Sequence, residues 1–136
     1  MMIHFGCNAS PWYDPSPRCR NGQGLHHGVD FDMPVGTTVR AAVAGRVIVN
    51  PATAGPSYGR HRVIIRTRDH DILLAHLASL KVTNGQQVSP GEVVGRSGMS
   101  GVEDLDGPHL HLEVRPVGAR HTAAIDPWSL AKAVTA

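Results

Sequence analysis

Short apolar runs separated by turn residues constrain the fold of this 136-residue chain more than any other feature. Val, Ile and Leu dominate these runs, and Gly, Pro or Asn interrupts the chain between them. The runs cover residues 47–49, 63–65, 72–74, 92–94 and 110–114. Strands and turns at this spacing predict an all-β fold built mainly of antiparallel sheet.

The length of the chain predicts one domain with its own core. We expect a Pro-rich N-terminal arm over residues 1–25, a core over residues 26–127 and a short C-terminal helix over residues 128–136. The helix is expected because Asp126 is a good N-cap and Pro127 suits the first helical position.

Two cysteines, Cys7 and Cys19, lie on either side of the prolines of the arm. A disulfide between them would fix the arm in place. Two unpaired thiols, in a protein made in a reducing cytoplasm, are the alternative. The sequence leaves both open, although the two residues lack the close spacing of a structural zinc site.

The charge balance gives no sign of a highly charged partner. The formal net charge is +2, so we expect neither nucleic acid nor an anionic membrane as a partner. No segment approaches the ~20 apolar residues of a membrane span. An alternation of arginines is best explained as a solvated strand face, with contact to an anionic polymer as the alternative. These arginines are Arg60, Arg62, Arg66 and Arg68.

Two clusters of polar residues point to a metal site. In an extended strand successive side chains point to opposite faces, so His109 and His111 project to the same side. The same period places His26, Asp30 and Asp32 on one face of their segment. A catalytic zinc site takes three protein ligands from His and carboxylate and keeps a fourth position for water. His26, an aspartate and one of the two later histidines would complete such a set.

The other histidines have simpler interpretations. His27 faces away from His26 in an extended strand, so we expect it outside the metal shell. His76, between Ala75 and Leu77, would on its own be a core histidine. Four more have polar or charged neighbours and are predicted to lie at the surface: His4, His61, His70 and His121.

Glu113 shares a strand face with His111. This position allows either support of a metal ligand or exposure to solvent, and the sequence leaves both open.

Six stretches of the chain follow one another in an order that resembles a known family. They are His-His-Gly-Val-Asp-Phe at 26–31, Pro-Val-Gly-Thr-Thr-Val-Arg-Ala at 34–41, Gly-Arg-Val at 45–47, Ala-His-Leu at 75–77, Gly-Glu-Val-Val-Gly-Arg-Ser-Gly at 91–98 and Gly-Pro-His-Leu-His-Leu-Glu-Val-Arg at 107–115. Together they resemble the lysostaphin-type (LytM, M23) zinc endopeptidases, which cut the peptide part of bacterial peptidoglycan. The resemblance implies an M23-like β-sandwich. One departure is that Leu73 and Leu74 stand where family members often have Tyr or Trp.

The resemblance also implies roles for single residues. His26, Asp30 and His111 would bind one zinc ion per chain, and only the resemblance favours Asp30 over Asp32. His76 and His109 would be the catalytic histidines that do not bind the metal.

Metal-assisted hydrolysis needs such a division. Zinc lowers the pKa of bound water to roughly 7, and an imidazole with a pKa of about 6.5 can accept its proton and later protonate the leaving amine. We assign His109 as the general base and His76 to orienting the water or stabilising the oxyanion, although the sequence leaves these two roles interchangeable.

The expected function is therefore that of a zinc metallo-endopeptidase that hydrolyses amide bonds in the stems or cross-bridges of peptidoglycan. The expected partner is bacterial peptidoglycan, and the expected state is a monomer. Turn-rich residues 50–60 and 99–106 are predicted to be surface loops that line the substrate groove.

The N-terminus lacks the basic and apolar regions of a signal peptide. This suggests a bacteriophage endolysin with antimicrobial activity, made in the host cytoplasm and released by holin-type lysis, or an enzyme associated with the virion.

Two other functions are compatible with parts of the sequence. A non-catalytic peptidoglycan-binding or regulatory module of the same fold would lack metal ligands, and none is missing here. A lipoyl or biotinyl carrier would need a lysine at a hairpin tip. The lysines of the chain, Lys81 and Lys132, are not placed for this role.

Overall fold

A computed structural model describes residues 2–3, 5–8, 19, 24–99 and 108–127. The strands in these ranges are β1 (Met2–Ile3), β2 (Gly6–Asn8), β3 (Gly24–His26), β4 (Val29–Asp32), β5 (Thr38–Arg40), β6 (Gly45–Val49), β7 (His61–Arg66), β8 (His70–Leu80), β9 (Gln87–Val88), β10 (Val93–Ser97) and β11 (His109–Pro116). Short 3-10 helices lie at Pro56–Tyr58 and His121–Ala123. The all-β prediction is confirmed. The C-terminal helix predicted over residues 128–136 lies outside the described residues.

Antiparallel pairing joins nine of the strands into one sheet in the order β1-β4-β11-β8-β7-β6-β9, with β10 paired to both β8 and β5. β2 and β3 form a separate two-stranded sheet. β11 therefore lies between β4 and β8. This order brings His109 and His111 between the strand of Asp30 and the strand of His76.

The main core lies on one face of the central strands. Side chains on β7 alternate, so Val63 and Ile65 enter this core while Ile64 points to the opposite face. Burying a side chain of this size contributes roughly 1.5–3 kcal/mol. The fully buried or nearly buried members are Val39, Ala41, Val47, Val63, Ile65, Ile72, Leu74, Leu77, Val82, Val88, Val94, Leu110 and Val114.

The opposite face of β7 and β8 has its own small apolar cluster, which residues 50–60 cover. Ile64 and Leu73 pack there with Ala54, and the half-buried Tyr58 lies against them. Residues 50–60 were predicted to be a surface loop. This is wrong for the side of the segment that faces the sheet, since Ala54 is 0% exposed. The physical reason is that β7 and β8 are apolar on both faces, so the second face also needs cover. Of the other predicted loop, residues 99–106, only Met99 is described.

Strand pairing between β1 and β4 ties the N-terminal arm to the domain, and a disulfide joins two parts of the arm. Cys7 and Cys19 form this disulfide, which settles the question that the sequence left open. Cys7 lies on β2, where Gly6 pairs with His26 of β3. None of the helices in the described ranges is long and apolar enough to cross a membrane.

Candidate metal centre

Three strand ends bring His26, Asp30 and His111 to one point. His26 ends β3, and the register of β4 with β11 places His111 directly opposite Asp30. One ligand atom from each residue can be chosen so that all lie within 4.8 Å of one another. The His111 Nδ1 atom lies 2.6 Å from Asp30 Oδ1 and 3.3 Å from His26 Nε2. All three side chains are buried, so their polar atoms face each other instead of solvent.

A glycine between His26 and Asp30 makes this approach possible. The chain bends at residues 27–28 between β3 and β4, so the segment is not the continuous strand that period-two alternation assumed. At Gly28 a Cβ atom would collide with the Leu112 carbonyl oxygen and lie 2.9 Å from His111 Cε1. A side chain larger than hydrogen at this position would push directly on the His111 ring.

His76 and His109 lie beside the cluster. Their ring centroids are 5.0 Å apart, and the His76 ring lies 6.0 Å from that of His111. The His109 Nε2 atom is 3.7 Å from Asp30 Oδ2. Both histidines are buried, at 6% and 3% exposure. The cluster and these two rings therefore form one continuous polar patch within the sheet.

The backbone at His76 departs from regular strand geometry. Its φ is 60°, in the left-handed region that residues other than glycine rarely adopt, at a cost of order 1–3 kcal/mol. The register of β7 with β8 shifts here, because His61 pairs with Leu77 but Val63 pairs with Leu74. Such bulges redirect a side chain and are common beside active sites.

The electrostatics of the cluster favour an ionised carboxylate. Burial alone would raise the pKa of Asp30, but hydrogen bonds with His111 and His26 outweigh it and hold that pKa well below its usual range. Burial lowers the pKa of His111, but hydrogen bonds with Asp30 and Glu113 outweigh this effect and raise it to about 9. Asp30 therefore offers a negative charge to a cation at any pH near neutrality.

Comparison with known sequences decides the family. Residues 24–127 match Peptidase family M23. The chain belongs to this family.

Relatives within the M23 family support the assignment. ShyA of Vibrio cholerae, a peptidoglycan DD-endopeptidase, is 38% identical over 98 residues, which are 69% of this chain and 22% of ShyA. The solved catalytic domain of the antimicrobial peptidase lysostaphin from Staphylococcus simulans aligns with a TM-score of 0.70 at 29% identity, covering 94% of this chain and 92% of that domain. A zinc-containing peptidase from Vibrio cholerae aligns with a TM-score of 0.63 at 28% identity, covering 90% and 36%. The chain thus spans less than a quarter of the length of ShyA.

The structure separates the two candidate aspartates of this M23 domain. Asp30 lies in the cluster, whereas Asp32 at the end of β4 is exposed. His27 points away from the cluster, and its half-buried ring packs edge-on against that of His121 at a centroid distance of 4.7 Å. The register of β4 with β11 distinguishes the two aspartates, because Asp30 pairs with His111 and Asp32 pairs with His109.

The histidines predicted to lie at the surface do so to different degrees. His121 is exposed, whereas His61 and His70 are half-buried on β7 and β8. His4 lies outside the described residues. Leu73 and Leu74, at the position of the family's aromatic residue, are both buried, one in each apolar cluster of the sheet.

The arginine alternation is not a simple solvated face. Arg66 forms two hydrogen bonds with Asp71, of 2.7 and 2.8 Å. Arg62 donates to the Ala54 carbonyl at 2.6 Å. Arg60 and Arg68 are exposed, as predicted.

Sequence reasoning left Glu113 undecided and missed two of its neighbours. Glu113 is 1% exposed, and its Oε1 atom lies 2.8 Å from His111 Nε2. Arg115 and Tyr58 both bind Glu113. Arg115 could have been found, because it shares the strand face of His111 and Glu113 at period two. Tyr58 comes from the segment at residues 50–60, and no periodicity points to it.

Proposed function

We propose that this protein is a zinc-dependent endopeptidase that hydrolyses amide bonds in the peptide stems or cross-bridges of bacterial peptidoglycan. The observation that supports this best is the buried convergence of His26, Asp30 and His111 beside the rings of His76 and His109. Family membership and the DD-endopeptidase activity of ShyA agree with it.

The donor set suits zinc. Two imidazole nitrogens and one carboxylate oxygen are a common ligand set of catalytic zinc sites, which leave one position for water or substrate. Calcium and magnesium prefer sites made entirely of oxygen ligands, whereas two of the three ligands of this cluster are imidazole nitrogens. When bound, zinc supplies a Lewis acid that polarises a carbonyl and lowers the pKa of water.

His26, Asp30 and His111 would hold the metal, and His76 and His109 would handle protons at the reacting atoms. We assign His109 as the residue that accepts a proton from water and returns it to the leaving amine. His76 would orient the water or donate to the oxygen that becomes negative. The bulge at His76 supports its role, since it turns this ring toward His109 within the sheet.

The substrate proposal rests on the family and its relatives. ShyA is named as a DD-endopeptidase of peptidoglycan. The candidate targets are glycine bridges, D-Ala cross-links and bonds within the stem. The shape of the substrate groove decides which of them is cut.

Purified sacculi of several cross-link types provide the test. Zinc-loaded protein should release new amino groups without new reducing sugar ends, chelation should abolish this release, and added zinc should restore it. The preferred sacculus then identifies the bond. Tight binding to sacculi without release from any type would instead favour a non-catalytic wall-binding module.

Deployment as a phage endolysin or virion enzyme stays a prediction, as does the monomeric state. The division into an arm at 1–25, a core at 26–127 and a helix at 128–136 is likewise a prediction.

A further inference from the structure

The strand face that carries His111 continues into a buried chain of hydrogen bonds. The His111 Nε2 atom lies 2.8 Å from Glu113 Oε1. Tyr58 donates its hydroxyl proton to the same oxygen at 2.7 Å. Arg115 donates from Nε to the other oxygen, Oε2, at 2.7 Å. The Nη2 atom of Arg115 also lies 2.7 Å from Oε2. Both oxygens of Glu113 therefore have fixed donors.

Two segments outside β11 anchor this chain of contacts. Arg115 is 0% exposed and also donates to the carbonyl oxygens of Thr53 and Ala119 at 2.9 and 3.2 Å. The Nη2 atom of Arg115 also donates to the Tyr58 hydroxyl oxygen, at 3.2 Å. The guanidinium cannot turn without breaking several of these bonds, so it holds the Glu113 carboxylate in one orientation.

The two nitrogens of His111 therefore face different partners. Nδ1 faces Asp30 and His26, and Nε2 faces Glu113. A neutral imidazole carries one proton, and a metal binds only the nitrogen without it. A carboxylate at Nε2 keeps the proton on that side and leaves Nδ1 for the metal.

We propose that Glu113 is a positioning residue that fixes the tautomer and ring orientation of His111, with Arg115 and Tyr58 holding Glu113 in place. This inference rests on the proposed zinc site, to which the unprotonated Nδ1 atom would bind. Glu113 is 1% exposed and lies 2.8 Å from His111 Nε2, so it would act through His111.

Glu113→Gln tests the proposal because Arg115 dictates how the new amide lies. The guanidinium donates only, so it draws the amide oxygen to the Oε2 position. The amide NH2 group then faces His111 Nε2 and favours the tautomer with its proton on Nδ1. We expect zinc affinity to fall about 10- to 100-fold, measured by competition with a chromophoric chelator.

Asp71→Asn is the matched control. Asp71 is also a fully buried carboxylate held by an arginine, Arg66, but it does not contact the metal cluster. Asp71→Asn should lower thermal stability and leave zinc affinity unchanged. Equal zinc affinity in wild type and a folded Glu113→Gln protein would overturn the proposal, as would an equal loss in both variants.

Nuclear magnetic resonance of the histidine rings gives a second readout that does not require the variant to fold. Wild-type protein with zinc should show His111 protonated at Nε2, with the strongly deshielded proton of a hydrogen bond to carboxylate. A proton on Nδ1 would refute the proposal. Failure of wild type to bind zinc would refute the proposed function instead, so the two failures are distinguishable.

Discussion

Asp30 and Asp71 are both buried aspartates, and the difference between their surroundings separates a site from a structural contact. Asp71 accepts two hydrogen bonds from the Arg66 guanidinium and one from the Gly118 backbone N–H at 2.8 Å. Asp30 faces the rings of His26 and His111. Interactions with these partners hold the pKa of each aspartate below its ordinary value, although burial alone would raise it.

The partners differ in whether they can release their protons. A guanidinium and a backbone amide stay protonated at every pH at which the protein is folded, so the surroundings of Asp71 can only stabilise a carboxylate. An imidazole nitrogen can give up its proton and bind a metal ion through its lone pair, so the rings around Asp30 can exchange protons for a metal. Four predictions test this contrast.

The largest effect is expected from the two histidines of β11. His111→Ala should lose zinc and hydrolysis together, because it removes a ligand. His109→Ala should keep zinc but hydrolyse sacculi about 10²- to 10⁴-fold more slowly, the usual contribution of a general base. Zinc content and amine release measure the two effects separately, and His121→Ala at an exposed position serves as the control. Normal hydrolysis by a folded His109→Ala protein would show that our assignment of roles is wrong.

Gly28→Ala should disturb the packing around Asp30 and His111 without removing a proposed ligand. The new methyl group would lie 2.8 Å from Glu113 Cγ and collide with the Leu112 carbonyl, and overpacking of this kind costs about 1–3 kcal/mol. We expect weaker zinc binding and a lower unfolding midpoint. Gly55→Ala is the control, because a Cβ atom there meets nothing within 4 Å. Equal zinc affinity in the two variants would mean that the bend tolerates a side chain.

Asp71→Asn should weaken the fold by about 1–3 kcal/mol, since it replaces the hydrogen bonds of a buried carboxylate to the charged Arg66 with weaker ones of a neutral amide. Folding lowers the pKa of this carboxyl, so its contribution to stability is present above the ordinary carboxyl pKa and is lost as pH falls below it. The stability of the variant should therefore change less with pH in the acid range than that of wild type. Urea unfolding of chelator-treated protein at several pH values measures this, and identical pH profiles would contradict it.

The smallest effect is expected at His27, next to a proposed ligand. His27→Ala removes the edge-on contact with His121 and should cost about 0.5–1.5 kcal/mol. Zinc affinity should not change, whereas His26→Ala should abolish it. Loss of zinc in both variants would place His27 in the metal shell.

The sequence predicted the parts of the site that lie on regular strands. Period-two alternation correctly placed His109 and His111 on one buried face and Leu110 in the core. It could not choose between Asp30 and Asp32, because both lie at period two on β4 and only the register with β11 sets Asp30 opposite His111. Alternation also gave no direction for the His76 ring, because a bulge with positive φ sets that direction. Only the order of the family motifs indicated a role for His76.

The burial of Glu113 was open for a different reason. A carboxylate is buried only when its partners are in place, and one of these partners, Tyr58, comes from a turn-rich segment that pattern reasoning assigned to the surface. Long-range partners of this kind leave no trace in local periodicity.

The pairing of the arm with β4 has a consequence for solubility. Met2 and Ile3 occupy the side of β4 opposite to β11, with Ile3 aligned to Asp30. An uncovered strand at the margin of a sheet presents free backbone donors and acceptors that recruit other chains. Protein lacking its first eight residues would expose β4 in this way, and a strand from another chain could then pair directly beside Asp30.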